Sequence, residues 1–248
     1  MRILSALCVI MLFINAQSAS LGATRGSTRS KGVLRQLQPG DRWGFISRGI
    51  VGRGTRILPF SQTRTVEVLS ETKKSPSGTE CKVLSMRTLT RSPAGADTST
   101  SEAYFTQTQD GTILIHGRKP ADKPDIQWVV DPPEKYIPDV KSPLSVGASW
   151  ANSYKMSDDT TGTQKSEVVG THRLKIPAGT FDSFVIKSQL EESDGLKVVL
   201  LAWYVPELGT EVLTVSIAKT AEGLTFIETE VLVGHSLQKT AQDSSKRR

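Results

Sequence analysis

Beyond residue 20 the apolar residues of this chain return at every second position, and no stretch of about 11 residues carries the three-and-four spacing of a helix. A chain written this way folds as sheet, because successive side chains of a strand point to opposite faces. Phe184, Ile186, Ser188 and Leu190 share one face, with Val185, Lys187 and Gln189 on the other. Leu213, Val215 and Ile217 alternate with Val212, Thr214 and Ser216, and Ile227, Thr229, Val231 and Val233 alternate with Glu228, Glu230 and Leu232. These are half-buried antiparallel strands whose apolar members are expected to face the core. Leu196 to Val205 is apolar on both faces and is expected to lie central and covered. Asp110-Gly111, between Tyr104–Gln109 and Thr112–His116, marks a tight hairpin. The predicted fold class is all-β, mostly antiparallel, with little helix.

The alternation is organised twice over. Gly40-Asp41-Arg42-Trp43 is echoed 107 residues later by Gly147-Ala148-Ser149-Trp150. Thr65 to Val68, Ser77-Gly78 and Val83 to Ser85 parallel Glu167 to Val169, Ala178-Gly179 and Val185 to Ser188. Tyr104-Phe105 with Gly111 parallels Trp203-Tyr204 with Gly209. Internal repetition of this kind predicts two related units, half-barrel or sandwich-like. The expected organisation is a signal peptide over 1–19, a basic flexible leader over 20–37, a first β repeat over 38–117, a proline-rich connector over 118–142, a second β repeat over 143–234 and a tail over 235–248. Six of the chain's 12 prolines fall between Arg118 and Pro143, a density that excludes helix and central strand. Trp128, Val129 and Val130 are expected to pin that connector to the protein's own sheet.

The N-terminus has the grammar of a secretory signal: Met1-Arg2, an apolar run from Ile3 to Ile14, then small residues from Asn15 to Ser20. The run is about 12 residues, short of the roughly 20 that cross a bilayer as a helix. No later stretch is long and apolar enough to span, so the mature chain is expected to lack a transmembrane segment and to be periplasmic or secreted, in a bacterium. Cys8 leaves with the signal, so the mature protein keeps Cys81 alone and no internal disulfide. In its strand-like setting Cys81 reads as a small buried residue. Formal charge is +6, and eight Lys or Arg stand against one Asp from Arg25 to Arg56. That basic leader points to an anionic envelope surface as a possible partner. Export and the lack of a binding motif argue against nucleic acid.

Chemistry is scarce in this sequence. His116, His172 and His235 have no neighbours at metal-ligand spacing, and no nucleophile elbow or phosphate loop occurs. Asp158-Asp159 and Glu191-Glu192-Ser193-Asp194 sit in turns, where carboxylates are usually solvated. No catalytic residue, metal ligand or cofactor is predicted, and the expectation is a non-enzyme. Trp43, Trp150, Trp203 and Tyr204 read first as core anchors and second as ligand-binding platforms.

From Pro143-Leu144-Ser145-Val146-Gly147-Ala148-Ser149-Trp150 through Ile176-Pro177-Ala178-Gly179-Thr180-Phe181 to Trp203-Tyr204-Val205-Pro206-Glu207-Leu208-Gly209, the chain resembles exported bacterial proteins of unknown function that carry these motifs in this order. Those proteins are similar in turn to the β half-barrels of periplasmic lipoprotein carriers. The resemblance implies a concave apolar surface for an acyl chain or a lipoprotein, and no catalytic residue. The expected function is therefore non-enzymatic binding of an apolar or lipid-like ligand in the cell envelope. A structural or assembly role through sheet edges is the alternative, and hydrolysis of envelope polymer a third, less favoured reading.

Overall fold

The computed structural model describes residues 32–131 and 137–238, so the expected signal peptide, residues 20–31 of the leader and the tail from residue 239 lie outside the described residues. Thirteen strands follow in order: β1 (Arg42–Arg53), β2 (Arg56–Lys74), β3 (Glu80–Ser92), β4 (Gly95–Gln107), β5 (Ile113–Lys119), β6 (Gln127–Asp131), β7 (Ile137–Val140), β8 (Ser149–Met156), β9 (Thr161–Ile176), β10 (Gly179–Glu192), β11 (Lys197–Val205), β12 (Thr210–Lys219) and β13 (Thr225–Ser236). No helix occurs among the described residues.

Every pairing is antiparallel, and sequence neighbours pair within two meanders, β1 to β5 and β8 to β13. The first and last strands then join, with Arg42 opposite Ser236 and Gly52 opposite Thr225. On the far side β6 bridges β5 to β8. Twelve strands thereby close into a barrel, and β7 lies beside β6 on the same edge of β5. Closure satisfies the backbone groups that an open sheet would leave at its edges.

The connector thus differs from its expectation. Its prolines do exclude helix, but residues 127–131 form a rung of the ring because Pro120, Pro124, Pro132 and Pro133 flank that stretch instead of interrupting it. Trp128 does pin the connector to the sheet: its ring lies 5.0 Å from that of Tyr104, over Cys81 and Val83. The close approach needs Gly117, where a Cβ would stand 2.7 Å from the Trp128 ring.

Both meanders open in the same way. Gly40 and Gly147 have φ values of 86° and 87°, which an L side chain disfavours. The Gly40 amide donates to the Val68 carbonyl at 2.7 Å, and the Gly147 amide to the Val168 carbonyl at 2.8 Å. Val68 and Val168 return the bond to Asp41 and Ala148. Trp43 and Trp150 follow, each buried. A bulge falls at Tyr104/Phe105 in the first meander and at Trp203/Tyr204 in the second.

Inside the barrel the side chains are layered. Phe60, Met156, Leu190, Val198, Leu200 and Phe226 fill one end. Trp43, Phe45, Val66, Met86, Phe105 and Leu232 fill the other. Between them Ser47, Gln62, Thr88, Thr90, Ser101, Gln164, Ser166, Ser188, Thr214, Ser216, Glu228 and Glu230 are buried.

Residues 32–37, the described end of the expected leader, pack against the barrel. Leu34 and Leu37 are buried, and the segment crosses the end of the barrel that holds Trp43. The Arg35 amide donates to the Pro206 carbonyl at 2.9 Å, the Leu144 amide to the Gly32 carbonyl at 2.6 Å, and the Lys82 Nζ to the Leu37 carbonyl at 2.7 Å. Asp41, fully buried, is the hub of this closure. Its carboxylate accepts from both terminal nitrogens of Arg35, from the Gln38 amide at 2.7 Å and from the Gln238 amide at 2.7 Å. One side chain so ties the leader to the C-terminal segment. The expected start of the tail is corrected too, since His235 and Ser236 complete β13 opposite Trp43 and Arg42.

Removing one partner of a buried ion pair leaves the other charge uncompensated. Asp41→Ala is expected to lower the unfolding free energy by about 3 kcal/mol, measured by urea denaturation followed by tryptophan fluorescence. An unchanged midpoint would show that the closure at this end does not contribute to barrel stability.

Candidate functional site

The structure places all four aromatic candidates in the core but does not gather them on one surface. Trp43 and Trp203 belong to one packed group, and Trp150 and Tyr204 to another with Val168, Phe184 and Ile186. Trp203 and Tyr204 are chain neighbours and so face opposite sides of the sheet. Tyr204 stands opposite buried Phe184 and looks inward, while Trp203 stands between Val185 and Leu213 on the outer face. The Trp203 indole donates to His172 Nδ1 at 3.1 Å.

That outer face is where structure and sequence part most sharply. In β12 and β13 the inward residues Val212, Ala218, Phe226 and Leu232 are apolar, but those between them, Thr214, Ser216, Glu228 and Glu230, are polar, and all are buried. The outward ones are Leu213, Val215, Ile217, Ile227, Val231 and Val233, partly or largely exposed. Register lines these up across the strands. Val199 of β11, Ile217, Ile227 and Ile50 of β1 stand directly opposite one another in a row, as do Trp203, Leu213, Val231 and Ile46. Adjacent strands lie about 4.8 Å apart, so the first row is a continuous aliphatic strip and the second runs from the buried Trp203 to Ile46. Val199, Ile227 and Ile50 are each 38% exposed. The expectation that Leu196 to Val205 is covered on both faces holds in part: the inner face is buried and Trp203 is covered on the outer face, while Val199 is exposed and Leu201 half-buried there.

The inward face of the same arc carries charge. Glu230 accepts from Arg64, whose guanidinium also lies 5.1 Å from the centre of the Phe45 ring. Neither carboxylate oxygen of Glu228 lies within hydrogen-bond distance of a donor among the described residues, although the Ser47 hydroxyl is near enough to favour its charge slightly. Burial, and then the neighbouring Glu230, push the Glu228 carboxyl up to about 7. Burial also raises Glu230, Glu211 and Asp139 above the usual carboxyl range. The Tyr204 hydroxyl is raised by burial, then by Glu211 and Asp139.

A second buried charge was missed by reading the Glu191 to Asp194 run as a solvated turn. Glu192 is buried and bound to both Arg118 terminal nitrogens, at 2.9 and 3.3 Å, and its Oε1 accepts from the Tyr154 hydroxyl at 2.5 Å. Arg118 Nε donates to Gln127 at 2.9 Å, and Gln127 donates in turn to Asp158. This network latches β6 into the ring. Burial pushes the Asp158 carboxyl up, but hydrogen bonds from Lys123 and Thr160 outweigh it and hold it at about 2. No signal in the local sequence pairs Arg118 with a residue 74 positions away.

The remaining nucleophiles and bases are quiet. Cys81 is buried and its thiol is pushed up to about 11 by burial. His116 is buried against Thr106, at 2.8 Å, and burial lowers it to about 4. Among the described residues no group of three His, Cys, Asp or Glu could hold a metal ion.

No family model matches this chain, and no curated protein matches it. Among solved structures, a proposed lipoprotein of Parabacteroides distasonis superposes with a TM-score of 0.39 and 14% identity, over 85% of this chain and 100% of its own. A proposed exported protein of Bacteroides fragilis with a YmcC-like fold gives a TM-score of 0.35 and 14% identity, over 82% and 99%.

The buried carboxyls set the pH response. Glu228 sits at about 7 in the folded chain against an ordinary value of 4.5, so between these values the native state holds a proton that the unfolded state has released. Stability then falls as pH rises through this window. From pH 5 to pH 8 the protein is expected to lose on the order of 3 kcal/mol from this group, and Glu228→Gln is expected to flatten the loss. Thermal melts of both proteins across that range measure it; a wild type that gains stability from pH 5 to pH 8 would contradict the assignment.

Proposed function

We propose that this chain is a non-enzymatic, exported binding protein of the bacterial cell envelope, and that the outer arc of β10, β11, β12, β13 and β1 holds an apolar or lipid-like ligand such as an acyl chain. The observation that carries the reading is the reversal in β12 and β13: polar and acidic side chains point inward while Val199, Ile227 and Ile50 stand exposed in one row with the half-buried Ile217. A soluble protein gains nothing from that arrangement unless something covers the row. Covering about 400 Å² of apolar surface, counted on both partners, supplies about 10 kcal/mol before the costs of ordering the ligand. Trp203, anchored by His172, forms the floor beside the strip, with Trp43, Trp150 and Tyr204 behind it. Export rests on the charged, apolar and small-residue sequence of residues 1–20.

The alternative of partner-strand addition is disfavoured by closure, which leaves no ring strand with a free edge along its whole length. Glu228 and Glu230, sealed inside, offer no cleft in which a glycosidic bond could lie between them.

Protein purified from the exported fraction without harsh detergent is expected to carry an acyl-chain mass in native mass spectrometry. Replacing Val199, Ile217 and Ile227 by Ser is expected to remove that mass while leaving the melting temperature close to wild type. A clean apo mass, together with no uptake of added fatty acid, would overturn the reading.

A further inference from the structure

We propose that the hairpin formed by β1 and β2 is a membrane-docking element that seats the barrel on an anionic lipid bilayer. This goes beyond the ligand arc and does not depend on it.

From Asp41 to Glu67 the chain has five arginines and no acidic residue between them. Arg64 is turned inward to Glu230. Arg48, Arg53 and Arg56 are exposed, and none of the three makes an ion pair among the described residues. Arg53 and Arg56 face each other across the turn, where Gly54 takes a φ of 59°. Directly behind them Ile57 is 60% and Leu58 53% exposed, among the highest exposures of any large apolar residue described. Strand alternation sends these two side chains to opposite faces, so neither rotation of the ribbon hides both.

The β2 side of the hairpin runs beyond its neighbour, while the β1 side stays paired with β13 as far as Gly52 opposite Thr225. The pairing of β2 with β3 begins only at Ser61 opposite Arg91, so residues 56–60 continue past the β3–β4 turn. Five residues of strand measure roughly 17 Å. On that free edge stands Pro59, which lacks the amide needed to recruit another strand. An apex with two free guanidinium groups, two bare aliphatic side chains and a proline-blocked edge matches one occupant. Phosphate headgroups take the arginines, and the outer acyl region takes Ile57 and Leu58 while the arginine stems snorkel upward. A soluble polyanion would satisfy the arginines but give the aliphatic pair no partner.

The test is co-sedimentation of the protein, in the form the cell exports, with phosphatidylcholine vesicles containing or lacking phosphatidylglycerol. Binding is expected only to the anionic vesicles and is expected to weaken as salt rises, because exposed charges are screened. Each basic residue near such a surface adds about fivefold in affinity, so R53E/R56E is expected to weaken binding at least ~100-fold by reversing two charges. I57D/L58D is expected to reduce it at least tenfold. Both pairs are exposed, and an unchanged melting temperature checks that they fold. The proposal is overturned if the anionic vesicles are not bound, or if binding survives both variants. Loss with the arginine variant and not with the aliphatic one would also overturn it, identifying a soluble polyanion. Vesicle binding that persists in the Val199, Ile217 and Ile227 serine variant separates this surface from the ligand arc.

Discussion

The antiparallel ladder between β1 and β13 is the interaction on which the rest of this structure depends. It joins residues nearly 200 positions apart, Arg42 to Ser236, and converts two consecutive meanders into one closed ring. In an open sheet each strand can slide by two residues at modest cost. In a closed ring every register is constrained by the next, and a one-residue slip would turn a whole strand inside out. Closure therefore decides for every strand which side chains are inside.

That decision explains why the middle of β12 and β13 looks reversed. Leu232 and Phe45 must meet at the filled end, opposite one another. With Leu232 inside, alternation places Glu230 and Glu228 inside as well and Val231, Ile227 and Val233 outside. The buried carboxyls and the exposed aliphatic rows are thus two faces of one geometric necessity. The interior accommodates the charge partly through Arg64, and burial shifts both carboxyls toward their neutral form. The outer rows have no such remedy inside the chain.

Much of the architecture was legible in the residues. Two-residue alternation predicted the strands, the paired Gly-x-x-Trp motifs marked the openings of both meanders, and Asp110-Gly111 marked a hairpin. Trp128 was correctly placed on the protein's own sheet. The Arg118–Glu192 latch and the Asp41 hub were not legible, because each joins residues far apart in sequence whose local surroundings resemble ordinary turns. Proline density misled for the connector, since what matters is the position of each proline relative to the five residues of β6.

Local patterning by itself determined that this chain forms alternating antiparallel strands in two similar runs, because the period of side chains along a strand is an intrinsic property of extended backbone. It could not determine which face of each strand is inside. For β12 and β13 the apolar residues alone favour the wrong face, and only the closure of the ring, acting through register across the β1–β13 seam, sends Glu228 and Glu230 inward and leaves the aliphatic row of Val199, Ile217, Ile227 and Ile50 facing out.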